Sequence, residues 1–150
     1  MPMSIKQKLQ NALSVAMKAK DEISKQTIRL VLSSIKLAEV EAGSEIDNAR
    51  ILTILQKEVK TREDAIEDAK MAQREDLIEK AKAEIKILNR FLPQQMDEDE
   101  LKALAKEIIN ETGATSMRDM GKIMKIMIPR LEGRASAQDA SKVVRELLQN

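Results

Sequence analysis

REDLIEKAKAEIKILNRFLPQQMDEDE, residues 74–100, contains the clearest boundary in this 150-residue chain. Its first part has apolar residues three or four positions apart, which is the pattern of an amphipathic helix. Pro93 ends that helix, because proline disfavours helical backbone in the residue before it. Asp97 and Glu100 then have the spacing of a capping box, which predicts that a new helix begins there. The stretch therefore predicts two helical portions, residues 1–93 and 97–150.

Both portions have the period and the end signals of α-helices. Before the boundary we predict four helices, from Ser4 to about Ala19, from Asp21 to near Gly43, from Asp47 to about Met71, and from about Arg74 to Leu92. After it we predict three, from Asp97 to Gly113, from Thr115 or Ser116 to Gly133, and from Ser136 onward. The predicted fold class is all-α, with an N-terminal four-helix portion followed by a small C-terminal three-helix bundle.

The composition supports this class. Of the residues, 43% are hydrophobic and 34% are charged, Phe91 is the one aromatic residue, and there are only 4 glycines and 3 prolines. The abundant residue types are mostly helix formers. No apolar run approaches the roughly 18 residues that a membrane span needs. We therefore expect no membrane-spanning segment.

The absence of two residue types restricts the catalytic and metal-binding chemistry that the chain can support. The chain has no His and no Cys, so the usual Ser–His, Cys–His and zinc-ligand arrangements cannot form. We expect no catalytic residues, no metal site and no cofactor. The segment Met1–Lys6 reaches a charge before any apolar run develops, so it is not a secretory signal. Together with the absence of cysteine, this predicts a cytoplasmic location.

The charges of the C-terminal portion are unevenly distributed. Residues 97–113 have a net charge of −4, from six acids and two bases, and residues 114–150 have +3, from seven bases and four acids. Arg118, Lys122 and Lys125 share one face of the sixth predicted helix. The candidate phosphate contacts in this portion are Lys122, Lys125, Arg130, Arg134, Lys142 and Arg145.

The turn at residues 133–136 leads into a helix N-terminus, where free N–H groups favour anions. Arg134 lies beside those groups, so the turn has the chemistry to hold a phosphate. An ordinary capped turn beside a solvated basic face is the alternative interpretation.

The sixth predicted helix also has a methionine ridge, formed by Met117, Met120, Met124, Met127 and Leu131. The ridge is either an adaptable groove for a partner, since Met repacks easily, or the core of the bundle. We favour the core, because so small a bundle has no other obvious one. Gly121 costs this helix about 1 kcal/mol relative to Ala, and close approach of a neighbouring helix would offset that cost.

Opposite charges interleave along the third and fourth predicted helices. Glu58 and Arg62, like Lys60 and Asp64, are four residues apart and placed to pair. Clustered carboxylates can indicate acid–base catalysis, but this interleaving indicates a solvated helix face.

Several motifs resemble the YqeY family. In order, they are QKEVKTR at residues 56–62, REDL at 74–77, FLPQQ at 91–95, ETGATSMRDMGK at 111–122 and GRA at 133–135. They occur in the order that the family has, and the resemblance extends over essentially the whole chain. Ala65, Phe91 and Ser136 depart from the family pattern, in which a serine, a tyrosine and an acid are expected.

This resemblance implies a helical N-terminal domain, residues 1–93, and a GatB/YqeY-like three-helix C-terminal domain, residues 97–150. The C-terminal domain is similar to the tail of the B subunit of the tRNA-dependent amidotransferase, which contacts tRNA away from the chemistry. The implied function is a non-catalytic tRNA-associated binding module, with tRNA or translation-related proteins as partners. The alternatives are a protein-interaction adaptor and, least favoured, a carbon–nitrogen ligase with glutamine as amido donor.

Overall fold

The computed structural model describes residues 3–149. Those residues form seven α-helices and one short 3-10 turn, with no β-strand among them, which confirms the all-α prediction. The chain divides into two compact units, residues 1–93 and 94–150. Met1, Pro2 and Asn150, which the predicted domain bounds include, lie outside the described residues. None of the helices described here is long and apolar enough to cross a membrane.

The first unit consists of four helices: α1 (Ile5–Lys18), α2 (Glu22–Ala42), α3 (Asn48–Met71) and α4 (Glu75–Asn89). The first three helices were predicted to begin at Ser4, Asp21 and Asp47, and each begins one residue later. Each of these residues is the N-cap of its helix, and its side chain accepts a hydrogen bond from a backbone N–H of the first turn. Helix α4 ends three residues before the predicted Leu92. Its last turn continues with i→i+3 bonds, such as that from the Leu92 N–H to the Asn89 carbonyl, and leaves helical geometry before Pro93.

All four helices contribute to the core of this unit. Its buried residues are Leu9, Ile28, Val31, Ile35, Ile51, Leu55, Ile87 and Leu88. Burial of each such side chain contributes about 1.5 to 3 kcal/mol. Packing therefore holds the unit together, and the helix caps define where its elements begin.

One arginine of the first unit is buried. Arg62 is only 8% exposed. It donates to the carbonyl and the carboxylate of Glu58 on its own helix, and to the carboxylate of Glu84 on α4. The prediction of a solvated charged face is wrong at this position, because α4 packs over Arg62 and provides its second counter-charge.

The second unit consists of α5 (Glu98–Thr112), a 3-10 turn (Met117–Asp119), α6 (Met120–Leu131) and α7 (Ala137–Gln149). Its buried core is formed by Leu101, Ala105, Ile108, Ile123, Met127, Leu131, Ala140, Val143 and Val144. Met127 is fully buried, and Met120 and Met124 pack against the core. The core interpretation of the methionine ridge is thus confirmed along α6. Met117 is exposed, because the 3-10 turn that contains it does not continue the register of the helix.

Two local expectations for the second unit are wrong. Asp97 accepts a hydrogen bond from the Glu100 N–H at 2.7 Å, but the Glu100 carboxylate binds Arg134 and does not complete a capping box. Apart from the adjoining residues and backbone of its own helix, no atom lies within 4 Å of the position that a Cβ would take at Gly121. No neighbouring helix therefore approaches this glycine closely, and nothing offsets its cost.

Candidate nucleic-acid interface

The candidate phosphate contacts lie on α6, on the turn that follows it and on α7. Lys122 and Lys125 are exposed and three residues apart, on the side of α6 away from buried Ile123 and Met127. Neither lysine forms an ion pair within the part of the chain that the structure describes. Both ammonium groups are therefore available to an anion from outside the protein.

Arg130 is engaged by an acid of α5. Its two terminal nitrogens donate to the carboxylate of Glu111 at 2.9 and 3.3 Å. The hydrogen bond with Glu111 raises the pKa of Arg130. A phosphate at this position would have to compete with a carboxylate that already forms a bidentate, charge-assisted pair with the guanidinium.

Arg134 attaches its turn to the start of the second unit. Its guanidinium donates to the carbonyl of Gln94 and to the carboxylate of Glu100, both at 2.8 Å. The Met96 N–H donates to the Arg134 carbonyl at 2.8 Å, and the Gln95 side chain donates to the Gly133 carbonyl at 3.1 Å. The FLPQQ and GRA motifs, about forty residues apart, therefore meet here, and the guanidinium has a structural role.

Ser136 caps α7 as predicted. Its hydroxyl oxygen accepts a hydrogen bond from the Asp139 N–H at 3.0 Å, and its carbonyl accepts one from the Ala140 N–H. The structure thus has a capped turn at this position. The guanidinium expected to face a phosphate points to Gln94 and Glu100 instead.

Lys142 and Arg145 lie on the exposed side of α7. Lys142 lines an open groove of about 280 Å³ between α7 and the start of α5. The other residues that line it are Met96, Asp97, Glu98, Leu101, Asp139, Val143 and Glu146. Four carboxylates around one lysine disfavour a phosphate there. Arg145 is exposed and, among the described residues, has no ion pair.

Arg118 extends the basic face of α6 beyond the six candidates. It lies in the 3-10 turn, is exposed and has no ion pair among the described residues. Ser116 and Asp119 fix this turn: Asp119 accepts from the Thr115 and Ser116 N–H groups at 3.1 and 3.4 Å, and the Ser116 hydroxyl accepts from the Arg118 N–H. Sequence spacing alone had placed Arg118 on the same face as Lys122.

The structure thus separates the six candidates into three groups. Lys122 and Lys125 lie next to each other on α6, and neither has an ion pair among the described residues. Arg130 and Arg134 pair with acids of α5, and Lys142 and Arg145 lie on α7. Within residues 3–149 no cluster of three or more acidic side chains is placed to hold a metal ion.

Comparison with known proteins identifies relatives over almost the whole chain. A family model described as "Yqey-like protein" matches residues 6–148. The chain is 35% identical over 106 residues to "Altered inheritance of mitochondria protein 41, mitochondrial" of Lachancea thermotolerans, covering 69% of this chain and 57% of that protein. It is 33% identical over 120 residues to the protein of the same name from Vanderwaltozyma polyspora, covering 75% and 64%. The counterpart from Pyrenophora tritici-repentis is 28% identical over 144 residues, covering 94% and 79%.

These relatives contradict the expected cytoplasmic location. All three are named as mitochondrial proteins. The absence of an apolar run from residues 1–6 speaks only against a secretory signal, because organelle transit peptides are amphipathic and basic. The chain spans less than two thirds of the length of the first two relatives, and none of the three names states an enzymatic activity.

Proposed function

The chain belongs to the family of Yqey-like proteins, and from this premise we propose that its second unit is a non-catalytic module that binds tRNA. The motifs had indicated this family, and the match over residues 6–148 confirms it. The observation that carries the proposal is the basic face of Arg118, Lys122 and Lys125, three exposed side chains without an ion pair in the described part of the chain. Binding would reside on α6 and the 3-10 turn before it.

The side chains available favour contacts to the RNA backbone. Residues 94–150 contain no aromatic side chain on which a base would stack, and lysines bind phosphates as point charges. The affinity would then depend on the release of counterions and on the shape of the RNA. We assign no ligase chemistry to the chain, because without His and Cys it lacks the usual means of activating a nucleophile.

Binding is tested by titrating labelled total tRNA with the whole protein at several salt concentrations. The variant Lys122→Gln/Lys125→Gln removes two proposed phosphate contacts. Each contact contributes about 0.7 to 0.9 to the slope of log K against log salt, so this variant should lower the slope by about 1.5. The matched control is Lys82→Gln/Lys86→Gln, which removes the same charge from exposed positions of α4 and should leave the slope nearly unchanged.

A second variant separates the two kinds of basic residue in the second unit. Arg130→Gln/Arg134→Gln removes side chains that pair with Glu111 and Glu100. It should lower the stability of the protein while leaving the salt slope close to that of the wild type. The proposal is refuted if tRNA does not bind at low salt, or if duplex DNA competes as well as tRNA does. It is also refuted if Lys122→Gln/Lys125→Gln and Lys82→Gln/Lys86→Gln reduce the slope of log K against log salt by the same amount.

A further inference from the structure

Helix α2 leaves large apolar side chains exposed although it packs against α1, α3 and α4. Ile23, Leu30, Leu37 and Val40 are 43%, 55%, 61% and 71% exposed, respectively. The buried side of the same helix is formed by Ile28, Val31 and Ile35. Single exposed apolar residues are ordinary, but a row of them on one helix marks an interaction surface. We call these four residues the α2 stripe.

The spacing of the α2 stripe is that of a coiled-coil seam. Ile23, Leu30 and Leu37 are seven residues apart, and Val40 follows Leu37 by three, so they occupy a and d positions of a heptad. Gln26 and Ser33 occupy the two other d positions, which keeps the seam narrow. The stripe is about 25 Å long, which matches one facing helix better than the broad apolar face with which a helix lies on a membrane.

Basic residues line the edge of the α2 stripe beside Leu30 and Leu37, whereas the g position before Ile23 is Glu22, which pairs with Lys25 at 3.8 Å. Arg29 and Lys36 are also seven residues apart and occupy the g positions next to Leu30 and Leu37. Both are exposed, and neither has an ion pair within the described residues. In heptad pairing the residues at e and g face the partner helix and select its charge. The two unpaired cations therefore select a partner with acids along that edge.

A second copy of this chain fits the α2 stripe poorly. An antiparallel pair whose two stripes overlap fully brings g positions against g positions, so Arg29 of each copy would face Lys36 of the other. A parallel pair would stack Gln26 on Gln26 and Ser33 on Ser33, which places polar side chains in two of the three d layers. Charge repulsion in one arrangement and polar layers in the other disfavour self-association.

We propose that the α2 stripe docks an amphipathic helix of another protein, with Leu or Ile at its heptad positions and Glu or Asp along the edge that faces Arg29 and Lys36. The apolar seam supplies most of the affinity, because each Leu that becomes buried leaves water. The basic edge sets the orientation and excludes helices with basic flanks. This inference concerns the first unit alone and is independent of tRNA binding by the second.

The test uses the whole protein and two labelled synthetic peptides of 21 residues, the length of α2. Both have Leu at a and d; the acidic peptide has Glu at e and g, and the basic peptide has Lys. By fluorescence anisotropy, the acidic peptide should bind at least about tenfold more tightly than the basic one, because Arg29 and Lys36 attract the Glu side chains of the first peptide and repel the Lys side chains of the second. The variant Arg29→Glu/Lys36→Glu should reverse this preference.

A second pair of variants tests the apolar seam. Leu30→Ser/Leu37→Ser should weaken binding of the acidic peptide by about tenfold or more. The matched control Met71→Ser/Leu77→Ser changes two exposed apolar residues at the junction of α3 and α4 and should leave binding unchanged. Circular dichroism should show melting temperatures within a few degrees of the wild type for all variants, since every changed side chain is exposed.

Several outcomes would overturn the proposal. One is the absence of binding by the acidic peptide, and another is equal affinity for both peptides. Two further measurements test whether a second copy of this chain or a membrane surface occupies the α2 stripe instead. Sedimentation equilibrium that shows a dimer lost in Leu30→Ser/Leu37→Ser would assign the stripe to self-association. Flotation with phosphatidylserine vesicles that depends on the same leucines, without peptide binding, would assign it to a membrane surface.

Discussion

Arg62 of α3 binds the carboxylate of Glu58 on its own helix and joins α3 to α4 through the carboxylate of Glu84. Burial opposes its charge, but the hydrogen bonds with Glu58 and Glu84 outweigh that effect and raise the pKa of the guanidinium. The side chain therefore remains charged and holds the carboxylates of both helices. Its motif, QKEVKTR, is one of those that indicate the family, and at this position the motif serves the fold.

Replacing Arg62 should destabilise the first unit strongly. Arg62→Met keeps the apolar stem but leaves Glu58 and Glu84 beside each other without a counter-charge. We expect the free energy of unfolding, measured with urea, to fall by about 2 to 4 kcal/mol. Lys70→Met is the control, because Lys70 pairs with Glu67 at an exposed position and should cost less than about 0.5 kcal/mol. Equal losses in the two variants would show that Arg62 has no special role.

Glu39 connects α2 to two other parts of the first unit. It accepts a hydrogen bond from the Lys6 side chain at 2.8 Å and one from the Ile46 N–H at 3.1 Å. The hydrogen bond from Lys6, followed by that from Ile46, lowers the pKa of Glu39 below 4.5. The same contact with Glu39 raises the pKa of Lys6. The pair therefore stabilises the folded state wherever both groups are charged.

The lowered pKa of Glu39 predicts a loss of stability in acid. A carboxyl whose pKa is lower in the folded state contributes fully above its unfolded value, here 4.5, and the contribution disappears as the pH falls through the folded value. In Glu39→Gln, the urea midpoint should be lower than in the wild type at pH 7. The difference between the two should shrink as the pH falls below 4.5. A difference that stays constant with pH would assign the effect to packing instead of charge.

At the scale of single elements, two glycines of the second unit have opposite roles. Gly113 ends α5 with a left-handed φ of +69°, which L-residues with a side chain adopt only at a cost. Gly121 lies inside α6 with open space where its Cβ would be. The first glycine is required by its backbone conformation, and the second only increases the entropy of the unfolded chain.

Alanine at these two positions should therefore change stability in opposite directions. Gly113→Ala should lower the free energy of unfolding by about 1 kcal/mol, and Gly121→Ala should raise it by about 0.5 to 1 kcal/mol. Thermal melts followed by circular dichroism would show both shifts. Destabilisation by Gly121→Ala would mean that a neighbouring element does approach α6 closely.

At the scale of the whole molecule, each unit has a hydrophobic core of its own. Nine buried residues from three helices form the core of residues 94–150, and eight from four helices form that of the first unit. Arg134, in the turn between α6 and α7, also attaches that turn to the segment before α5, since its guanidinium donates to the Gln94 carbonyl. The second unit thus contains the contacts that its fold needs.

We therefore predict that residues 94–150 fold when produced alone. The fragment should have a helical circular dichroism spectrum and a single cooperative urea transition, although its small size makes its stability marginal. In the fragment, Arg134→Gln should lower the midpoint further, because the segment 94–96 loses its attachment to the turn. A fragment without cooperative unfolding would show that the predicted domain division, residues 1–93 and 97–150, is not one of independent folding units.

The sequence by itself determined the helical class, the number of helices and most of their ends. The helices predicted to begin at Asp21, Asp47 and Ser136 each begin one residue later, because each of these side chains accepts a hydrogen bond from a backbone N–H three residues ahead and so caps its helix. The end of α4 shortly before Pro93 was equally readable, since proline restricts its immediate neighbour. Family membership was also recognisable, because short motifs and their order along the chain can be read without knowing the structure.

Only the tertiary structure decided which charged and apolar side chains remain exposed and able to bind another molecule. Arg134 and Arg62 look like surface bases in the sequence, but Glu100 and Glu84, which lie on other helices, engage them. The α2 stripe was equally hidden, because hydrophobic periodicity does not say which side of a helix its neighbours cover. Such contacts join residues far apart in the chain, and pairings of that kind follow from how helices pack rather than from local chemistry.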